Sequence, residues 1–219
     1  MLKQSLPLSL YSCAETRKLD DLAIQNEGIP GIVLMKRAGQ FAFSTLLNTW
    51  PDAQHVLVLC GAGNNAGDGY VLAALAAQRA LSVSVLAVVD PGKLQHDALR
   101  AAEYAQQEGV KIEMFSEAAF LDACQLNTVV VDALLGSGIN RLVEGCFASA
   151  IACINSCHLP VLALDIPSGL DGDSGKEWGV AVKATATTTF IGVKRGLLTG
   201  RAPALVGSLS YSDLQVPAS

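Results

Sequence analysis

Three glycine-rich segments and one lysine carry the residue types that could do chemistry in this sequence. The segments are Gly61-Ala-Gly-Asn-Asn-Ala-Gly-Asp-Gly69, Asp132-Ala-Leu-Leu-Gly-Ser-Gly138 and Asp165-Ile-Pro-Ser-Gly169. Gly61, Gly63 and Ala66 keep the G-x-G-x-x-[G/A] spacing of a dinucleotide turn. There, glycines let the backbone approach a pyrophosphate and the next helix offers its free amides. Asp90 stands near the place of a ribose-binding acid. By itself this pattern points to hydride transfer with a nicotinamide cofactor, or to a merely structural strand-helix turn. Asn64 and Asn65 argue otherwise, since they set polar side chains where the loop crosses the strand ends. Asp68 is expected at the helix start, capping the amides and leaving less of the terminus for a pyrophosphate. No His-Asp or Ser-Tyr-Lys arrangement of a dehydrogenase follows, and no G-x-x-x-x-G-K-[ST] loop is present.

Asp132 ends the apolar run Thr128-Val-Val-Val, where a carboxylate is costly unless it is at the rim, paired or bound to a cation. Asp165 repeats the arrangement after Val161-Leu-Ala-Leu164. A helix cap or turn former would explain either aspartate singly; two on adjacent strand ends favour function. With Asn65 and Ser168 they form an oxygen set that suits K⁺, Na⁺ or Mg²⁺ better than zinc. Gly136 and Gly138 let the backbone come close to a ligand. Lys194 either brings positive charge to the same rim or is a solvated lysine at a turn.

These residues need elements to place them. Ser12 can cap a helix running to about Gly28, and Pro30 suits the first turn of a second helix ending near Trp50. Strands are expected at His55–Cys60, Ser82–Val89, Val110–Phe115, Thr128–Asp132, Val161–Asp165, Thr188–Val193 and Ser208–Tyr211. Helices are expected at Gly69–Ala80, Lys93–Glu108, Glu117–Cys124 and Leu142–Ser156. Continuously apolar strands alternating with helices imply a three-layer αβα, Rossmann-like, doubly wound and mostly parallel sheet. Ligands of such folds bind beyond the carboxyl ends of the strands, where all three motifs would converge. No repeat or linker divides residues 1–219, which read as one domain.

The chain of 219 residues is 51% hydrophobic and 16% charged, with a formal net charge of -5, so neither nucleic acid nor an anionic membrane surface is an expected partner. The uncharged run from Gly145 to Leu164 contains Asn155, Ser156, His158 and Pro160, and reads as helix, turn and strand rather than a membrane span. The stretch Leu6-Pro-Leu-Ser-Leu-Tyr-Ser-Cys13, preceded by Lys3, is too short and ill-composed for an export leader, so a cytoplasmic location is expected. Six cysteines are then thiols. Cys146, Cys153 and Cys157, seven and four residues apart, share one helix face and read as buried small hydrophobes rather than a metal cluster with His158.

Together the motifs resemble the YjeF N-terminal domain family, the NAD(P)H-hydrate epimerases. Asn64-Asn65-Ala66-Gly67-Asp68-Gly69 is similar to N-N-x-G-D-G, and Asp132 to Gly138 to D-A-[LIF]-[LF]-G-[TS]-G. Asp165 to Gly169 matches D-[IV]-P-S-G, Thr189 to Gly196 matches T-F-x-x-x-K-x-G, and Met35-Lys-Arg-Ala-Gly39 resembles an early M-x-x-A-G helix motif. The departures are Ala66 for a frequent glycine and Ser137 for a frequent threonine. The resemblance implies NADHX or NADPHX as substrate, the cofactor hydrated at C6 of its nicotinamide ring, and interconversion of its R and S epimers. It implies substrate contacts from Asn64, Asn65, Ala66, Gly67, Asp68, Gly136, Ser137, Gly138, Ile139, Asn140, Arg141, Leu142 and Asp165. It also implies potassium held by Asn65, Asp132 and Ser168.

The resemblance also implies that many bacterial members carry a C-terminal NAD(P)HX dehydratase domain; residues 1–219 are expected to hold the epimerase domain alone, as a stand-alone epimerase or as the N-terminal piece of a bifunctional protein. A homodimer through the N-terminal helices is the assembly the resemblance suggests. For the reaction, Asp165 is the expected acid-base group, with Lys194 tuning it or holding phosphate. The alternatives are a non-catalytic nucleotide-binding or scaffold module of the same fold and an ordinary nicotinamide-dependent oxidoreductase.

Overall fold

A computed structural model describes residues 6, 7 and 9–216; the leader-like stretch around Lys3 and Leu8 thus lies partly outside the described residues. A seven-stranded sheet holds β2 (His55–Cys60), β3 (Ser82–Ala87), β4 (Ile112–Met114), β5 (Thr128–Ala133), β6 (Val161–Leu164), β7 (Ala186–Phe190) and β9 (Ser208–Ser212). Its order is β4-β3-β2-β5-β6-β7-β9, and every described pairing is parallel. The chain winds outwards from β2 to β4, then returns to β5 on the other side of β2. The switch point of a doubly wound sheet therefore falls between β2 and β5.

Parallel strands buried on both faces need apolar residues at successive positions. All six residues of β2 and all six of β5 are buried. Val56, Val58 and Cys60 face a core shared with α2 (Gly31–Thr49), α3 (Asn64–Gln78) and α4 (His96–Gln107). Leu57 and Leu59 face the opposite core, with α5 (Glu117–Ala123) and α6 (Gly145–Ser156). Ahead of them α1 (Cys13–Gln25) starts in a capping box: Glu15 N–H donates to Ser12 Oγ at 3.1 Å, and Ser12 N–H donates to Glu15 Oε2 at 2.6 Å. Pro30 stands just before α2 rather than inside its first turn. Among the described residues no helix is long and apolar enough to cross a membrane.

Two differences from the sequence reading matter for the site. Helix α3 begins at Asn64, five residues before Gly69, with Gly63 as a cap that offers no side chain. Asp68 consequently lies in the second turn and caps nothing. The first-turn amides of α3 stay open, and the expected shielding of this terminus is wrong. The run Thr188–Val193 is likewise not one strand. It breaks at Ile191, which has φ +65°, and resumes as β8 (Val193–Lys194), paired with β1 (Leu10–Tyr11) in a separate two-stranded ribbon. Gly192 permits the break, because a Cβ there would lie 2.7 Å from the Tyr11 ring. Smaller differences are a start of α6 at Gly145 rather than Leu142, and an exposed Cys146 where burial was expected. Among the described residues no group of three metal-ligating side chains of His, Cys, Asp or Glu forms.

His55 is 2% exposed at the start of β2, with its ring nitrogens 3.1 Å from Thr128 Oγ1 and 3.0 Å from Ser84 Oγ. Burial pushes its pKa below the ordinary histidine value of 6.5, against a smaller opposing hydrogen bond to the Ala123 backbone. The unfolded chain therefore takes up this proton first, so stability present above pH 6.5 is lost as the pH falls towards the lower folded-state value. Denaturant melts between pH 7 and 5 should show this slope in the natural protein, and His55→Gln should flatten it.

Candidate active site

The carboxyl ends of β2, β5 and β6 meet on one rim because the three strands run parallel in adjacent positions, with Leu59 opposite Asp132 and Asp132 opposite Ala163. Beyond them opens a cleft of about 980 Å³. Asn64, Asn65, Asp68, Gly136 to Leu142, Asp165 and Lys194 line it. Ala66 and Gly67 do not. Ala66 is fully buried, and Gly67 is packed against Met35 of α2 so closely that a Cβ would collide with its sulfur. Asp90 is spent on a short 3₁₀ turn, accepting from Gly92 N–H at 2.9 Å, and lies off the cleft. The ribose acid of a dehydrogenase reading has no counterpart there.

Asp165 is held at φ +63°, a left-handed conformation that costs a non-glycine residue about 1–2 kcal/mol and that aspartate tolerates better than most. The turn is closed by Ile166 N–H donating to Leu164 O at 2.7 Å. One carboxylate oxygen accepts from Ser137 N–H at 3.2 Å, tying the third motif to the second. The other forms an ion pair with Lys194 Nζ. Lys194 is only 3% exposed, so it is not a solvated lysine at a turn. Its ammonium also donates to Thr189 Oγ1 at 3.2 Å and to Phe190 O at 3.0 Å, satisfying all three protons.

Beneath the cleft, Asp132 is fully buried and Ser168 nearly so. Asp132 Oδ2 accepts from Ser168 N–H at 2.8 Å, and Oδ1 accepts from Ser168 O–H at 2.6 Å and Leu134 N–H at 3.2 Å. Burial pushes the Asp132 carboxyl up to about 6, although these hydrogen bonds pull it down. Asn65 Nδ2 donates to Leu135 O at 3.0 Å, and Leu135 N–H donates to Ser168 Oγ at 2.8 Å. Asn65 Oδ1 is left buried with no partner among the described residues. An orphaned amide oxygen costs of order 1–3 kcal/mol. A hard cation held jointly with the Asp132 carboxylate and Ser168 hydroxyl would satisfy it, and potassium is one ion that such an oxygen set suits.

Helix α1 supplies residues that motif reading missed: Thr16, Arg17 and Asp20 line the cleft, and Arg17 Nη2 reaches towards Ser137 O at 3.5 Å. No glycine turn or strand end marked them. The only signal is that the ribbon of β1 and β8 pins the start of α1 beside Lys194, which is a tertiary contact. Met35, in contrast, was legible in the M-x-x-A-G motif, whose Gly39 lets α2 lie against the Asp68 carbonyl and the Val71 side chain.

A family model described as YjeF-related protein N-terminus matches residues 31–196. The chain belongs to this family. It is 44% identical over 205 residues to the bifunctional NAD(P)H-hydrate repair enzyme Nnr of Coxiella burnetii, covering 94% of this chain but 41% of that protein. It is 39% identical to the NAD(P)H-hydrate epimerase of Lentilactobacillus buchneri, covering 92% of each chain. The crystal structure of yeast ynu0 superposes with a TM-score of 0.80 at 18% identity, over 93% of this chain and 87% of that one, which shows the shared fold. The chain thus spans about two fifths of the bifunctional relative and nearly all of the single-activity one.

Two glycines of the first motif separate architecture from ligand space. A Cβ at Gly61 would run into the Leu134 carbonyl oxygen, whereas one at Gly63 would meet nothing within 4 Å. Gly61→Ala should therefore cost about 1–3 kcal/mol, as overpacking does, and lower Tm by several degrees in calorimetry. Gly63→Ala should melt close to the natural protein and weaken binding of ADP-ribose at the open end of α3, measured by titration calorimetry.

Proposed function

We propose that this chain is an NAD(P)H-hydrate epimerase, which interconverts the R and S epimers of NADHX and NADPHX. The observation that carries the reading is the buried Lys194 ammonium paired with a strained Asp165 carboxylate on the wall of a nucleotide-sized cleft. Relatives bearing this activity in their names match over nearly the full chain. The open amides of α3 suit the pyrophosphate, since a helix N-terminus favours an anion. Arg17 and Arg141 add positive charge along the same cleft.

The hydrated carbon C6 carries a hydroxyl beside the ring nitrogen and is a carbinolamine. Once the hydroxyl is protonated, the nitrogen lone pair expels water and leaves an iminium, which a second water enters from the opposite face. The enzyme must supply a proton, stabilise the cation and take a proton from the entering water. Asp165 serves the last two tasks. Lys194 fixes the carboxylate, and the Ser137 amide holds its second oxygen against the loop of residues 136–142. Asn65, Asp132 and Ser168 would hold a potassium ion. Its positive charge would neutralise the buried Asp132 and set the geometry of the 134–137 backbone. A dehydratase that acts on one epimer is the functional partner, fused in the bifunctional relatives. The intact asparagines and both aspartates favour this reading over a non-catalytic binding module.

Epimer interconversion followed by NMR should be abolished in Asp165→Ala; full activity in that variant would remove Asp165 from the chemistry. Lys194→Met should lower the rate and also Tm, because it leaves the carboxylate without its partner. In potassium buffer the natural protein should melt above its temperature in tetramethylammonium buffer. Asn65→Leu and Asp132→Asn should erase that difference, and an unchanged difference in both would place the ion elsewhere.

A further inference from the structure

Both Asp165 carboxylate oxygens are engaged, one by the Lys194 ammonium and the other by the Ser137 amide. The expulsion of the C6 hydroxyl still needs a donor. Asp68 of α3 is 8% exposed and lines the same cleft, and its carboxyl makes no hydrogen bond among the described residues. Asp20 of α1 lines the same cleft, half-buried. Three carboxyl groups therefore line one cleft with a single buried ammonium, and that ammonium is committed to Asp165.

We propose that Asp68 is the proton donor to the C6 hydroxyl, and that Asp20 is a positioning residue that keeps the proton on Asp68. This rests on the epimerase reading and divides its acid-base work between two carboxyl groups. Asp68 transfers its proton to the hydroxyl oxygen. The C6–O bond breaks, its electron pair leaving with water, and the nitrogen lone pair forms the N1=C6 bond. Water then adds to C6 from the other face, the N1=C6 pair returns to nitrogen, and the released proton goes to Asp165. Exchange with solvent restores Asp68 to its acid form and Asp165 to its carboxylate. In the reverse reaction the two carboxyls exchange roles.

Burial pushes the Asp68 carboxyl well above the usual carboxylate range; the negative charges of Asp165 and Asp20 add to this and Lys194 opposes it. Burial likewise raises Asp20, with Asp21 and Asp165 adding to it and Lys194 opposing. The other charged groups nearby are otherwise engaged or stand along the cleft. On α2, Lys36 lies over the Tyr104 ring and Arg37 donates to Leu214 O at 2.8 Å. On α4, Asp97 pairs with Arg100. Arg17, Arg141 and Glu144 line the cleft from α1 and the loop of residues 136–144. A division of labour between two carboxyls in unlike surroundings is a recurrent way to run acid and base steps at one pH.

The test is the pH profile of the epimerisation rate for the natural protein, Asp68→Asn and Asp20→Asn, together with NADP⁺ affinity by calorimetry. Asp68→Asn should lose at least about a hundredfold in kcat, the range of a missing general acid, while NADP⁺ affinity stays within a few-fold. Asp20→Asn should move the alkaline fall of the rate to lower pH, because removing a negative neighbour loosens the Asp68 proton. A near-normal rate in Asp68→Asn, with Asp165→Ala inactive, would overturn the donor assignment and leave the epimerase reading intact. No interconversion by the natural protein would instead overturn the reading beneath it. An unmoved alkaline limb in Asp20→Asn would remove Asp20.

Discussion

The parallel pairing of β2 with β5 is the constraint on which the site depends. Six residue pairs in register, from His55 opposite Thr128 to Cys60 opposite Ala133, bring the Gly61 turn and the Asp132 loop out at the same edge. The sheet is wound in opposite senses from these two strands, so the loops diverge and leave a crevice between them. Gly61 allows the closest approach, since only a missing side chain leaves room for the Leu134 carbonyl. Three polar residues of the site are then hung from this edge: Asn65 on Leu135, Ser168 on Asp132, and Asp165 on Ser137.

The frame was legible because both faces of the central strands must be apolar, a pattern that single residues report directly. The burial of β2 and β5 follows from runs such as Val129-Val-Val131 without any knowledge of their neighbours. The start of α3 was misplaced for the opposite reason. Asparagines, glycines and an aspartate have low helix propensity, so Asn64 to Asp68 read as loop. Tertiary packing reverses that preference: Gly67 seats the helix on Met35 and Gly69 on Ala133. For Lys194 the sequence left open whether the side chain reaches the rim or is solvated, and the structure decides for the rim. Its burial depends on the kink at Ile191 and on β1, more than 180 residues earlier, and no local spacing reports such a contact.

The same distinction applies to the chemistry. Motif positions located Asp165, Asp132 and the asparagines, because strand ends and glycine turns announce them. They did not distinguish their roles. Asp132 is fully buried and tied to Ser168, whereas Asp165 reaches the cleft and Asp68 faces it without a hydrogen bond. Those differences come from depth and partners, which the linear sequence does not encode one residue at a time. Asp20 shows the limit most clearly. It is an unremarkable residue of an amphipathic helix until the β1–β8 ribbon sets that helix beside the site.

The central claim is that the cleft breaks and re-forms the C6–O bond of a hydrated nicotinamide ring. The most direct measurement is to incubate one purified epimer of NADHX with the protein in H₂¹⁸O and follow epimer composition and C6 hydroxyl labelling together. Labelling should rise in step with interconversion, both well above the buffer rate. Interconversion that leaves the original oxygen in place, or no acceleration of either process, would contradict that claim.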